Sequence, residues 1–224
     1  MNQLLTTMLP RFVAMATLAV ASIASAQGVT GDVKAGESKA AMCIGCHGII
    51  GYQNVFPEVH KVPMISGQSG KYIEAALKAY SKGDRKHPTM RGIAAQLSEQ
   101  DMADLGAYYE QHSAKPAAPE TAVEANEATA ALLAKGGCVA CHGANFSKPL
   151  DPSYPKIAGQ HADYLYVALK AYTVETNANS KRGRNNAIMG GIATQYSHAE
   201  LKAMAKYLSE LPGEMDVVPQ SRFR

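Results

Sequence analysis

The chain carries the same unit twice, and each copy holds the pentapeptide Cys-x-x-Cys-His. "CIGCH" spans 43–47 and "CVACH" spans 138–142, so all four cysteines of the 224-residue chain fall in two motifs 95 residues apart. The segments that follow repeat as well. Pro63, Gly67, Gln68, Tyr72 and Tyr80 recur 92 positions later as Pro155, Gly159, Gln160, Tyr164 and Tyr172. After a seven-residue insertion, "MRGIAAQLSEQDMADLGAYY" (90–109) matches "MGGIATQYSHAELKAMAKYL" (189–208) at an offset of 99. Two like domains are therefore required. A domain of about 90 residues buries only a modest core, so something besides the polypeptide should help to hold each one.

The first residues have one basic side chain, Arg11, an apolar run from Phe12 to Ile23, and Ala24-Ser25-Ala26 before Gln27. That is the pattern of a secretory signal peptide, 1–26, cleaved after Ala26. The run is short of the roughly 20 residues that span a bilayer. Loss of Arg11 takes the formal charge from +3 to +2, too small a basic excess for a nucleic-acid partner. The Ala/Pro-rich "SAKPAAPE" (113–120) marks the joint. It separates domain 1 at 27–115 from domain 2 at 119–211, with a linker at 116–118 and an irregular tail at 212–224.

The periodicity predicts helices and no sheet, hence an all-α fold. "DVKAGESKAAM" (32–42) and "PETAVEANEATAALLAKG" (119–136) each read as a helix leading into a motif, the second with Pro119 at its start. "GKYIEAALKAY" (70–80) reads as another. Ser98 with Asp101, and Ser197 with Glu200, are capping boxes that open helices at 99–111 and 198–210.

Cys-x-x-Cys-His admits three chemistries. A redox dithiol needs a β-α-β frame, which neither copy offers. A structural zinc ion wants four soft ligands per domain, and each domain has two cysteines. Covalent haem c uses every feature: two thiols add to the porphyrin's two vinyl groups, and the following histidine meets the iron. It also supplies each small domain with a large apolar plate to pack around. His47 and His142 are then the proximal ligands.

The sixth ligand decides between an open, reactive iron and a closed one. Met90 and Met189 are equivalents in matching "M-x-G-I-A" loops before the last helix of each repeat, outside regular helices. Met64 is matched by Lys156; Met102 and Met204 fall at helical apolar positions and read as core. His87, matched by Asn186, is the rival in domain 1. Packing is the usual role of a methionine, but the pairing favours Met90 and Met189. A thioether is a weak, soft donor that favours Fe(II), and a His/Met haem has a high potential. With both axial positions taken, the site carries electrons and binds no small-molecule substrate; the chain is not an enzyme.

Pro63 and Pro155 place a carbonyl near Nδ1–H of the proximal histidine, or are ordinary turn prolines. Tyr72, Tyr80, Tyr164 and Tyr172 pack near haem edges or simply in the core. Arg85 and Arg182 pair with haem propionates near the joint, or are solvated loop charges. Four ionised propionates offset the basic excess, so the sequence charge does not identify a redox partner.

In both "C-x-x-C-H-G" motifs, the "G-Q…Y…L…Y" segments and the paired "M-x-G-I-A" and "S-x-x-[DE]" segments, the chain closely resembles the cytochrome c4 family over residues 30–211. The resemblance implies two tandem class I cytochrome c domains with two covalently bound haem c groups. Cys43, Cys46, His47 and Met90 would hold the first; Cys138, Cys141, His142 and Met189 the second. It implies a periplasmic protein, in some members associated with the inner membrane. Such proteins pass electrons from a bc1-type complex or a dehydrogenase to a terminal oxidase, with the two haems near the domain interface. The alternative is a dihaem subunit of a periplasmic oxidoreductase, such as a flavocytochrome sulfide dehydrogenase. A dihaem peroxidase would need an open iron, against which the paired methionines speak. The loop "GYQNVFPEVHKVP" (51–63) and the insertion before Met189 depart from the pattern and leave the particular oxidase open.

Overall fold

Residues 29–174 and 182–219 are described by a computed structural model. The signal peptide read at 1–26 lies outside the described residues, as do most of the insertion and the end of the tail. By internal contacts the chain divides into Met1–Thr30 and Gly31–Arg224; both repeats belong to the second unit.

In the first repeat, α1 (Val33–Lys39) starts at Asp32, whose side chain accepts the Ala35 N–H at 2.7 Å. It stops at Ala40, and α2 (Ala41–His47) begins at once and contains the motif. The single helix read at 32–42 is thus two, with the cysteines inside the second. Two-residue strands β1 (Gln53–Asn54) and β2 (His60–Lys61) pair in the following loop. Then come α3 (Gly70–Lys82), β3 (Arg85–Lys86), α4 (Pro88–Ala94) and α5 (Glu99–Gln111). The second repeat supplies α6 (Glu127–Lys135), α7 (Val139–His142), α8 (Ala162–Tyr172), β4 (Gly183–Arg184), α9 (Ala187–Ala193) and α10 (His198–Glu210). Among the described residues the strands are only two residues long, so the fold is all-α, in two tandem copies of one helical unit. α5 and α10 have the bounds their capping boxes predict, and both boxes are closed from both sides.

The last helix of each repeat is its spine. α1 crosses α5 so closely that a Cβ on Gly36 would lie 2.1 Å from the Asp104 carbonyl oxygen. Only glycine permits that approach. Met102 and Met204 are buried core residues of α5 and α10, 3% and 4% exposed.

Two expectations need correction. The stretches around Met90 and Met189 are not loops but the short helices α4 and α9, because the side chains of His87 and Asn186 cap each by accepting the methionine N–H. The helix read at 119–136 starts only at Glu127, because the Asn126 side chain caps it by accepting the Thr129 N–H. Ahead of it, the carbonyls of Pro119 and Val123 accept tertiary bonds from Asn145 Nδ2 and Tyr207 Oη. Those bonds replace the i→i+4 partners a helix would have given. The segment from 212 is irregular and is tied to the first repeat. Asp216 N–H donates to Ser66 O, Ser113 Oγ donates to Glu214 O, and Met215 is 1% exposed.

Candidate cofactor site

One continuous cavity of about 360 Å³ runs through both repeats. Natural cores hold few voids larger than a water molecule, so this is no packing defect. Its wall includes Cys43, Cys46, His47 and Met90 from the first repeat and Cys138, Cys141, His142 and Met189 from the second. The structure thus brings every predicted site residue to one cavity. Met42, Met64 and Met204 also reach the wall, but none of the three is matched by a methionine in the other repeat.

The motif helices aim the cysteines and histidines. None of the four cysteines is in a disulfide. Each histidine Nδ1 faces a proline carbonyl: His47 to Pro63 O at 2.8 Å and His142 to Pro155 O at 3.0 Å. A carbonyl only accepts, so Nδ1 carries the proton, and in the neutral ring Nε2 keeps its lone pair. Burial pushes both imidazoles below the ordinary histidine pKa, against the opposing pull of the proline carbonyls. Two neutral rings with Nε2 lone pairs beside paired thiols suit a covalently attached iron porphyrin.

Met90 and Met189 occupy the third position of α4 and α9. The backbone N–H of each donates to the N-cap side chain: Met189 to Asn186 Oδ1 at 2.9 Å, Met90 to His87 Nδ1 at 3.4 Å. His87, the rival ligand, thereby does the capping work that asparagine does in the other repeat.

The site's charge lies where the repeats meet. β3 and β4 pair antiparallel, one from each repeat, with Arg85 opposite Arg184. Sequence reasoning named Arg182, which is exposed. The 99-residue offset that pairs Met90 with Met189 also pairs Arg85 with Arg184, and was the signal that could have found it. Arg85 is 9% exposed. Its terminal nitrogens donate to Tyr72 Oη at 3.3 Å and Tyr164 Oη at 2.7 Å, and its Nε is buried without a partner. Arg184 donates to Tyr164 Oη at 3.2 Å and Tyr172 Oη at 3.5 Å. Among the described residues neither guanidinium has a carboxylate partner. Burial opposes ionisation of the Tyr164 phenol, yet the two guanidiniums outweigh it and draw the phenol down to about 8. Two cations lining an apolar cavity, one with an orphaned donor, call for an anion, and a group bearing carboxylates fits.

Two haem c attachment motifs on two helical domains define a dihaem c-type cytochrome, an electron-transfer protein. The family model for cytochrome c matches residues 33–113 and 127–212. Cytochrome c4 of Azotobacter vinelandii is 33% identical over 231 residues, covering 94% of this chain and 100% of that protein. The thiosulfate dehydrogenase electron acceptor of Stutzerimonas stutzeri is 33% identical over 185 residues, 79% of this chain and 82% of that one. Reduced recombinant cytochrome c4 from Pseudomonas stutzeri superposes with a TM-score of 0.57 at 25% identity, covering 82% of this chain and all of that one. The chain belongs to the cytochrome c4 family, and carries two covalently bound haem c groups.

Proposed function

We propose that Cys43 and Cys46 attach the first haem, with His47 and Met90 as its axial ligands. In the same way Cys138 and Cys141 attach the second, with His142 and Met189 on its iron. Domain 1 is then 27–115 and domain 2 is 119–211. The observation that carries this reading is the matched pair of methionine sulfurs, at one position of two equivalent short helices, on the cavity that also holds both motif histidines.

When bound, each haem supplies a one-electron Fe(III)/Fe(II) couple. The rest is the work of the polypeptide. Pro63 and Pro155 fix the histidine tautomer and leave Nε2 as the donor. A thioether from Met90 or Met189 raises the potential. The apolar wall keeps water from the couple, and Arg85 and Arg184 neutralise cofactor carboxylates where the two domains join. With His47 and Met90 holding one iron and His142 and Met189 the other, no position would be left for substrate. The protein is a carrier without catalytic activity, shuttling single electrons in the periplasm from a bc1-type complex or dehydrogenase to a terminal oxidase. Among the described residues no helix is long and apolar enough to cross a membrane, and any contact with the inner membrane is peripheral.

The test is the methionine–iron charge-transfer absorption of the ferric protein. Met90→Ala and Met189→Ala should each remove about half of it and let carbon monoxide bind one iron; a variant that keeps the full band shows the wrong sulfur was chosen. A second reading is favoured by the thiosulfate dehydrogenase electron acceptor among the relatives. It makes this chain the electron-accepting subunit of a periplasmic oxidoreductase, and co-purification of a dehydrogenase chain would establish it.

A further inference from the structure

Each domain reaches across to hold a backbone peptide of the other, and the peptide it holds is the one that holds the histidine. His47 Nδ1–H donates to the Pro63 carbonyl at 2.8 Å. The other end of that peptide group, the Met64 N–H, donates to Gln160 Oε1 at 3.0 Å, and Gln160 Nε2 returns a bond to Met64 O at 2.9 Å. The second site is built the same way in the opposite direction. His142 Nδ1–H donates to Pro155 O at 3.0 Å, the Lys156 N–H of that peptide donates to Gln68 Oε1 at 2.9 Å, and Gln68 Nε2 donates to Lys156 O at 2.9 Å. Gln68 and Gln160 are equivalents in the repeat, each 4% exposed. Met215 sits between them, its sulfur 3.2 Å from Gln68 Nε2 and 3.5 Å from Gln160 Nε2.

One peptide group joins the two bonds, so they are not independent. An acceptor on its N–H polarises the amide and adds negative charge to the carbonyl oxygen. That strengthens the histidine Nδ1–H bond in a chain. A stronger bond at Nδ1 makes Nε2 a better donor, and a better donor stabilises Fe(III) and lowers the reduction potential. The two-point grip on residues 64 and 156 also fixes the tilt of the peptide, and with it the plane of the ring. Gln68 and Gln160 make no hydrogen bond to the thiols or to Met90 and Met189; both also line the cavity, and their link to the histidines runs through the peptides of residues 64 and 156.

We propose that Gln160 is a positioning residue for the first haem and Gln68 for the second, so that each domain sets part of the other's reduction potential. This rests on the reading of His47 and His142 as axial ligands. A potential partly fixed from the neighbouring domain makes the interface itself a determinant of which haem holds the electron.

The experiment is a redox titration of the holoprotein, following the haem methyl resonances of each haem by NMR and assigning domain 1 with Met90→Ala. Gln160→Met keeps side-chain volume and removes the acceptor; the first haem should shift to higher potential while the second stays at its wild-type value. Gln68→Met should do the reverse. Gln160→Glu offers an oxygen to the Met64 N–H whether protonated or ionised, and should return the first haem to its wild-type potential or below. Gln160→Met moving both haems equally, the second alone, or neither would overturn the proposal. So would a glutamate variant that stays at the methionine variant's value. If a methionine variant does not assemble, the His47 Nδ1–H resonance in Gln160→Glu decides the matter. It should remain as slowly exchanging as in the wild type, and fast exchange there counts against the relay. If no haem-shifted ring resonance belongs to His47 or His142, the histidine-ligand reading fails and takes this inference with it. A Met90→Ala shift with unmoved glutamine variants sinks the inference alone.

Discussion

Arg85 and Arg184 stand opposite each other across a two-residue antiparallel ladder, one from each repeat, and both donate to the hydroxyl of Tyr164. Like charges directly opposite one another in a ladder repel, and burial raises the cost. Such a pair calls for an anion to offset it, and on the proposed reading the carboxylates of the two haems are that anion. Arg85→Met in the holoprotein should cost about 3 kcal/mol, the usual penalty for stripping one partner from a buried ion pair. It should also lower the potentials of both haems, because a nearby cation favours the reduced state. Urea denaturation and a redox titration check this. Arg182→Met, at an exposed position, should leave both quantities unchanged.

His87 caps α4 with a ring nitrogen where Asn186 caps α9 with an amide oxygen, and the first contact is longer by half an ångström, 3.4 Å against 2.9 Å. His87→Ala removes the cap and the edge-on contact with Phe56 at 5.8 Å, at a cost of about 1 kcal/mol. The effect should be local. The methionine–iron band of domain 1 should be lost at a lower temperature than in the wild type, with that of domain 2 unmoved. Asparagine at position 87 should restore it. A band that fades equally in both domains would show that the two short helices do not melt separately.

Local signals in the sequence survived folding, and signals that depended on the other repeat did not show. Ser98 and Ser197 fixed the starts of α5 and α10 because a capping box is complete within four residues. The repeat offset paired Met90 with Met189 because it compares like with like. The helix read from Pro119 failed because Asn145 and Tyr207, distant in sequence, claim the carbonyls of residues 119 and 123. Arg184, not Arg182, lines the cavity, because equivalence to Arg85 follows the 99-residue offset, and a run of charges along the chain does not itself say which member turns inward. The cross-domain grip of Gln68 and Gln160 was invisible for a deeper reason. A repeat shows which residues are equivalent, but not that each equivalent reaches into the other copy.

The contact of α1 with α5 is electrostatic as well as steric, and acid should undo it. Lys39 Nζ lies 2.7 Å from Asp101 Oδ1 and 2.5 Å from Asp104 Oδ2. The Lys39 bond, with help from Ser98, holds the Asp101 carboxyl at about 2, below its ordinary 3.8; Lys39 lowers Asp104 too, followed by the Asp32 N–H. A depressed carboxylate stabilises the fold above its unfolded pKa and loses that contribution as pH falls through the folded value. Stability should therefore decline between about pH 4 and pH 2, measured as a falling urea midpoint. Lys39→Met should flatten the decline by removing the first cause of both shifts. An unchanged slope would place the acid sensitivity elsewhere.

Met215 gives the C-terminal segment a structural task that its irregular sequence conceals. The side chain is 1% exposed and its sulfur meets the amide groups of both glutamines. Lys115 Nζ donates to the Met215 carbonyl at 2.7 Å, and Lys156 Nζ pairs with the neighbouring Glu214 at 2.6 Å. Met215→Ala deletes a buried side chain and leaves a cavity, a loss of about 2–5 kcal/mol. Met215→Leu keeps the volume and removes only the sulfur acceptor, so it should cost less than about 1.5 kcal/mol. The two variants separate packing from hydrogen bonding at the same point. Denaturant midpoints should fall in the order wild type, Leu, Ala, with both haem signals in the Ala variant lost at lower denaturant, because the plug lies between the domains. If only one haem signal moves, Met215 belongs to that domain's core and does not join the two. A wild-type midpoint in Met215→Ala would mean that the domains pack equally well without it, and that Gln68 and Gln160 hold their positions through the backbone of residues 64 and 156 alone.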